Sequence, residues 1–392
     1  MSTSITSADT LTTLYVAIEL SKAGWLVAMQ TPLDGRPRRY KLEAGDIAGL
    51  LALVERWRER VIGADGGKPA VFCCYEAGYD GFWVQRRLAA QGISCHVMDP
   101  ASLQVDRRAR RVKTDAIDVE ALLWALIAWS RGEIQVCRMV RVPTVAEEDA
   151  RRLHRERKRL VGERIAHVNR MKSLLALHGV GDYQPLRSDR HTRLERFVGA
   201  DGCALPPQVQ RELERELARL ELVMAQIAEV EAARDAVVTT TARPEDEKSR
   251  LMIANLTRLR GIGPEIATVL VREIFYRCFG NRRQVASYAG LTPSPYASGG
   301  TSRDQGISKA GNALVRTTMI ELAWLWLRYQ PDSALSRWFR ERAGKMAGRI
   351  RRIMIVAVAR KLLVALWRYV NGGLVPTDAV IRRACQREPV AA

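Results

Sequence analysis

Asp115 and Asp118 stand three residues apart at the head of a stretch that continues through Ile117, Leu122, Leu126 and Ile127 at helical spacing. On a helix the two carboxylates share one face. So placed, they can hold a hard cation such as Mg²⁺, which prefers oxygen ligands. The same spacing also makes a capping box, with Asp115 as N-cap and Asp118 at N3, both favoured by the helix dipole. Caps are the commoner device, and spacing alone favours them. Two carboxylates upstream change that balance. Glu19 ends the apolar run Leu14 to Ile18, and Glu76 ends the run Ala70 to Tyr75. Strand ends are where open α/β folds place functional groups. Glu19, Glu76, Asp115 and Asp118 can therefore converge on one sheet edge. That is the layout of a two-metal phosphodiester site, in which cations about 4 Å apart stabilise the attacking and leaving oxygens.

The elements that must position these groups are readable as hydrophobic periods. Candidate strands are 14–19, 24–31, 37–42, 70–76 and 93–98; candidate helices are 45–61, 79–91, 101–110 and 115–131. Short strands followed by strand–helix alternation predict an α/β domain over 14–135, a mixed sheet with helices on both faces. A basic run, Arg107, Arg108, Arg110, Arg111 and Lys113, sits just before Asp115 and is suited to phosphate contacts. Residues 145–240 read as a helical arm. Its first helix, 147–178, has an apolar stripe and an opposite face of Arg151, Arg152, Arg155, Arg157, Lys158, Arg159, Arg164 and Arg170. After a break rich in Gly, Pro and Asp, Leu213, Leu217, Leu220, Met224 and Ile227 repeat at four-three spacing, a heptad seam. The seam predicts an antiparallel coiled coil, within the chain or between subunits. His154, His167, His178 and His191 have no metal-ligand spacing and read as ordinary polar residues.

Residues 250–385 predict a third, mostly α-helical domain. Leu256 to Ala267 fits a helix-hairpin-helix. Gly261 and Gly263 let the hairpin backbone approach closely, and the second helix starts with N–H groups that can face a phosphate. Ala289 to Thr301 reads as a flexible Gly/Ser/Pro loop, leading into Gly306 to Arg316 and an apolar helix through Trp326. Arg340 to Tyr369 reads as one basic amphipathic helix, with Ile350, Ile353, Met354, Val358, Leu362 and Leu366 facing inward.

Composition narrows the function classes. The chain of 392 residues carries 62 Lys plus Arg against 43 Asp plus Glu, a formal charge of +19 with pI ≈ 10.1. A charge that large favours a polyanionic partner. The seven cysteines are scattered without a CxxC pair, which fits reduced core thiols better than zinc or disulfide frameworks. The start lacks a signal-peptide pattern and no apolar run approaches a membrane span. The expectation is a cytoplasmic, nucleoid-associated protein with no membrane partner.

The strings VAIELSK, CCYEAG and KTDAIDVEALLWAL, which hold the four acids, resemble the amino-terminal domain of the DEDD transposases of the IS-one-ten insertion-sequence family. GLTP, then SG, then GISKAGNALVR resemble the carboxy-terminal transposase domain of the same family. The resemblance implies an RNase H-like (RuvC-like) fold for the first domain. It implies a ligand role for Glu19, Glu76, Asp115 and Asp118, holding Mg²⁺ as two ions per site. The first acid of the family is usually Asp; Glu19 adds a methylene but keeps the charge and both oxygens. The family's nucleophile is the serine of the SG pair, which aligns with Ser298 and not with Ser294. A serine hydroxyl is weak at neutral pH and needs activation, for which metal ions, Lys309 and Arg316 are the candidates. The expected activity is that of a DNA transposase or recombinase working through a covalent serine–DNA intermediate. The resemblance also implies donor and target DNA, a structured non-coding (bridge) RNA as guide, and assembly as a dimer or tetramer. Two other readings stand beside it: a hydrolytic RNase H-like junction nuclease in which water attacks, and a nucleic-acid-binding remnant inactivated through Glu19.

Overall fold

Thr13–Leu20 (β1) is buried through its first six residues, side chains of both faces alike, and that makes it the centre of a sheet. It pairs antiparallel with Trp25–Gln30 (β2), which pairs antiparallel with Arg38–Leu42 (β3). On its other side β1 runs parallel to Ala70–Glu76 (β4), and β4 runs parallel to Ser94–Met98 (β5). The order is β3-β2-β1-β4-β5. The outer strand β3 exposes Arg38, Arg39 and Lys41, charges that protect a sheet edge from further pairing. Leu14, Val16, Ile18, Cys73 and Tyr75 face Ile47–Arg60 (α1) and Trp83–Ala89 (α2). Tyr15, Ala17, Cys74 and Met98 face Asp115–Ser130 (α3) through Val119, Leu122, Leu123 and Leu126. The period-two alternation of the strands thus feeds two cores, one on each side of the sheet.

The computed structural model describes residues 13–61, 68–103, 114–239, 246–298, 301–344 and 347–382, with backbone alone at 238–239, 296–298 and 301–305. The helix expected over 101–110 is, in its described part, a single 3₁₀ turn, Pro100–Ser102. The basic run Arg107, Arg108, Arg110, Arg111 and Lys113 lies outside the described residues. The chain divides into two compact units, Met1–Thr144 and Val145–Ala392.

The second unit is mostly helical. It begins with Val145–Asp149 (α4), Arg152–Ala176 (α5), Arg190–Glu195 (α6) and Pro207–Thr239 (α7). Arg170 meets Glu212, His167 meets Glu216 and Arg157 meets Glu231, so α7 descends as α5 rises. The seam residues Leu213, Leu217, Leu220 and Ile227 are buried against Leu160, Met171, Leu174 and Leu175 of α5. The heptad pattern is therefore satisfied within the chain. Glu247–Arg258 (α8) and Pro264–Leu270 (α9) follow, and α9 runs into a π turn, Val271–Phe275. Next come Arg282–Tyr288 (α10) and an antiparallel hairpin of Pro293–Ser298 (β6) and Thr301–Ile307 (β7). Ala313–Tyr329 (α11), Ala334–Ala343 (α12) and Gly348–Gly372 (α13) close the chain around a core with Trp326, Phe275 and Leu362 at its centre.

Two expectations are corrected here. The single helix expected from Arg340 is two, because α12 stops at Ala343 and α13 starts at Gly348. Ile350 and Ile353, expected inward, are 53% and 55% exposed; the buried face is Ile355, Val358, Leu362 and Leu366. Among the described residues no helix is long and apolar enough to cross a membrane.

Candidate active site

Glu19 follows Ala17 by two residues and Glu76 follows Cys74 by two, so both carboxylates belong to the sheet face covered by α3. The parallel register pairs Ile18 with Tyr75, which sets Glu19 beside Glu76 at the next step. Helix α3 runs against the direction of β1 and β4. Its last residue, Ser130, donates its hydroxyl to Tyr15 Oη at 3.0 Å, near the start of β1. Its middle residue, Leu122, accepts the Cys74 thiol at 3.6 Å. One turn back from Leu122 lies Asp118, a displacement of about 6 Å along the helix. Two residues on from Cys74 lies Glu76, about 6.6 Å along the strand. The same end of the same face thus receives Glu19, Glu76, Asp118 and, three residues nearer the helix start, Asp115.

The N-cap of α3 is Thr114, whose side chain accepts from Ile117 N–H at 3.4 Å. Asp115 is the first helical residue and Asp118 the fourth. The N-cap is therefore Thr114 and not Asp115, the residue that the capping-box reading places there. The donor chemistry, four carboxylates, suits a hard cation. Among the described residues, however, no three His, Cys, Asp or Glu side chains stand close enough to hold one ion. The four acids share a face and an end without closing into a ready-made ligand set.

Ser298 is the last residue of β6 and pairs with Thr301, the first of β7. The segment expected as a flexible loop is a strand. Pro293 and Pro295 read as breakers, but each strand of a two-stranded hairpin is an edge, where proline loses no second ladder. The register shift between these prolines absorbs the misfit as a bulge. The hairpin's base is fastened by Ser308 N–H to Thr292 O at 2.8 Å and Lys309 N–H to Gly290 O at 3.3 Å. Gly290 has φ +64, and a Cβ there would collide with the Ala310 carbonyl. Lys309 itself sits at φ 56, and its carbonyl accepts from Arg316 Nη1 at 2.8 Å. Arg316 therefore holds the hairpin's root through its guanidinium.

Below this root is a buried polar cluster that the sequence did not announce. Asn312 caps α11, its Oδ1 accepting from Leu314 and Val315 N–H at 3.0 and 3.1 Å. Its Nδ2 donates to Glu273 Oε2 at 2.9 Å. Glu273, in the π turn and 1% exposed, also accepts from His154 Nε2 at 2.8 Å and from Arg155 Nε and Nη2 at 2.7 and 3.0 Å. Burial alone would raise this carboxyl's pKa; the donors from His154, Arg155 and Asn312 outweigh it and hold the group well below the usual carboxylate range. His154 is thus no ordinary polar residue: its side chain is fully buried and helps fix α5 to the turn. π turns recur at functional sites, and this one joins the arm to the base of the serine hairpin.

The basic face of the arm is largely spoken for. Arg151 donates to Arg272 O at 3.0 Å and stacks over Tyr276 at 4.3 Å. Arg155, Arg157, Arg159 and Arg170 pair with Glu273, Glu231, Glu163 and Glu212. Arg152, Lys158 and Arg164 have no acidic partner among the described residues.

Around the predicted hairpin, α8 and α9 are joined by a tight turn with Leu259 and Ile262 fully buried. Gly261 has φ +94, and a Cβ there would crowd Tyr329 at 3.0 Å. Gly263 is the N-cap of α9. Glu265, in the first turn of α9, pairs with Arg234 at 2.7 Å, placing an anion at the positive end of the helix.

The class of the chain and its family follow from comparison of the whole sequence. The chain is 49% identical over 378 residues to the putative transposase y4rJ of Sinorhizobium fredii, covering 94% of each. It is 32% identical to the probable family 20 transposase of Pseudomonas aeruginosa, over 65% of this chain and 71% of that one. It is 27% identical to the transposase for insertion sequence element IS1328 of Yersinia enterocolitica, over 67% and 73%. Residues 253–338 match the model of the transposase IS116/IS110/IS902 family. The chain belongs to that family of insertion-sequence transposases. The matched segment contains Glu273, Ser298 and Asn312.

Proposed function

We propose that this transposase cuts and rejoins DNA through a covalent bond to Ser298. The Ser298 hydroxyl oxygen attacks a backbone phosphorus, forming a serine–phosphate ester and releasing the sugar oxygen as a hydroxyl that takes up the proton. A hydroxyl of a second strand then attacks the same phosphorus and releases serine. The bond energy is kept at each exchange, so no outside energy source is required. Glu19, Glu76, Asp115 and Asp118 would hold Mg²⁺, as two ions, whose chemistry there is to neutralise charge on the phosphate.

The observation that carries the reading is the shared face and end of these four acids beside a helix that Thr114 already caps. The order β3-β2-β1-β4-β5, three antiparallel strands then two parallel, supports an RNase H-like (RuvC-like) assignment. The tight turn between α8 and α9 supports a helix-hairpin-helix with Gly261 and Gly263 at the phosphate side, in competition with Glu265. The charge of +19 supports donor and target DNA as partners, read at the nucleoid. The resemblance adds a structured non-coding RNA as guide, with base pairing reading sequence while the protein reads backbone. It also adds a dimer or tetramer in which the acids of one subunit meet the serine of another.

Ser298→Ala should abolish cleavage and joining while DNA binding and folding persist, and Ser294→Ala should keep activity. Mass spectrometry of a denatured, trapped complex should find nucleotide mass on the peptide containing Ser298. Normal cleavage by Ser298→Ala would sink this reading and leave a hydrolytic nuclease.

A further inference from the structure

A concavity of about 1410 Å³ in the second unit lies along α13 and reaches the base of the serine hairpin at Pro293, Gly306 and Ile307. Among the described residues six cations line it: Arg282, Arg283, Lys309, Arg360, Lys361 and Arg368. No Asp or Glu does. All six are exposed, and none pairs with an acidic side chain among the described residues. The floor between them is apolar. Ile353, Leu374 and Val375 are 55%, 64% and 43% exposed, and Trp338 lies beside them with Lys361 over its ring at 4.7 Å.

These properties conflict unless a ligand joins them. Unpaired cations repel one another, and apolar side chains left in water at the bottom of a groove are unfavourable. A ligand that satisfies both must carry regularly spaced negative charge and flat apolar faces. Duplex DNA offers the charge but keeps its base faces stacked inside. A bilayer offers both but is flat, and this surface is concave. An acidic peptide offers charge without the flat faces. An unpaired nucleic-acid strand offers both, with bases against an aromatic and aliphatic floor and phosphates along the cations. On α13, Arg360 and Lys361 stand two turns before Arg368, about 12 Å along the axis, so the cations follow the groove's length.

We propose that this groove binds a single, unpaired nucleic-acid strand and leads it to the root of the Ser298 hairpin. The proposal rests on the reading of the protein as a nucleic-acid-cutting enzyme and specifies which form of the polymer this surface takes. A cut-and-rejoin reaction needs such a site, because a strand separated from its partner must be kept near the reacting centre.

The test uses the full chain and fluorescein-labelled twelve-nucleotide oligothymidylate, read by anisotropy across a salt series, beside a duplex of equal length and polyglutamate as competitor. Arg360→Glu with Lys361→Glu should weaken single-strand binding at least tenfold. It should also lower the slope of log affinity against log salt by about 1.4, two phosphates at about 0.7 each. Trp338→Ala should weaken binding by about fivefold or more, the loss of one stacked base, and Trp338→Phe should restore most of it. Thermal melting by circular dichroism establishes that each variant is folded; iodouracil-substituted oligonucleotide, photocrosslinked to the wild type, should mark the peptide containing Trp338, which needs no variant. If the wild type binds single strands but the variants match it in affinity and slope, or the crosslink falls elsewhere, the groove assignment is overturned and the parent reading stands. If duplex or polyglutamate competes equally through these residues, the groove recognises charge alone and the single-strand assignment fails. Binding of neither nucleic acid by the wild type would overturn the parent reading itself.

Discussion

A carboxylate that is 1% exposed has to be held by its neighbours, and Glu273 is held by His154, Arg155 and Asn312. Removing one partner of a buried ionic cluster leaves the others unpaired, at about 3–5 kcal/mol. Glu273→Gln should lower the stability of the second unit by about that amount, read as a shift in the urea midpoint. The sign with pH follows from the depressed pKa. A group whose pKa is lower in the folded state contributes fully above its unfolded value, about 4.3 for Glu, and loses that contribution as pH falls below it. The gap between wild type and Glu273→Gln should therefore shrink on acidification below about 4.3. A gap that widens in acid would contradict the assignment. Asp118 tests a different role. Thr114 caps α3, so Asp118→Asn leaves that cap in place and the fold should persist. Strand cleavage should collapse nonetheless, and Glu76→Gln should behave alike. Unchanged cleavage by both variants would remove the acids from the chemistry.

The arm shows what burial adds to a sequence period. Leu217 and Leu220 are 2% and 0% exposed, packed on Met171, Leu174 and Leu175. Truncating a buried leucine to alanine costs about 2–5 kcal/mol, depending on how far the site collapses. Leu217→Ala and Leu220→Ala should each fall in that range by urea unfolding, and the double Asp replacement should lower far-ultraviolet helicity. Retained helicity in the double Asp variant would mean the seam is not closed in solution. This seam was readable because four-three spacing has one structural use. The strands of the first unit were readable for a similar reason: apolar runs ended by single carboxylates at Glu19 and Glu76. The serine segment was not, since Pro293, Pro295 and Gly299 resemble loop chemistry whether or not a hairpin forms. The Glu273 cluster was not readable either. Its partners lie 119, 118 and 39 residues away in sequence, and nothing in the local pattern around His154 or Glu273 links them. The cap of α3 was misread because threonine and aspartate both cap, and adjacent candidates are told apart only by backbone angles.

A formal charge of +19 makes salt dependence the property of the whole chain, but not every arginine contributes to it. Arg155, Arg157 and Arg170 are bound to Glu273, Glu231 and Glu212, so their charge is neutralised at short range and serves the arm. Arg152 and Lys158 are exposed with no acidic partner among the described residues. The run Arg107, Arg108, Arg110 and Arg111 stands just before the candidate acids in sequence. Each duplex phosphate released from contact lowers the slope of log affinity against log salt by about 0.9. Reversing the four arginines of the run to Glu should therefore flatten the slope for duplex DNA by up to about 3.6, with weakening that is uniform across sequences. Arg152→Glu with Lys158→Glu should flatten it by up to about 1.8 and leave the melting temperature close to wild type. Arg155→Glu with Arg157→Glu should do the reverse: a lower melting temperature, because like charges then meet Glu273 and Glu231, and little change in slope for the fraction that stays folded. The comparison is made by filter binding over a salt series together with calorimetric melting of the same preparations. Equal slopes in all three variants would mean that the polyanion is held by other cations, and the assignment of these two stretches to phosphate contact would fail.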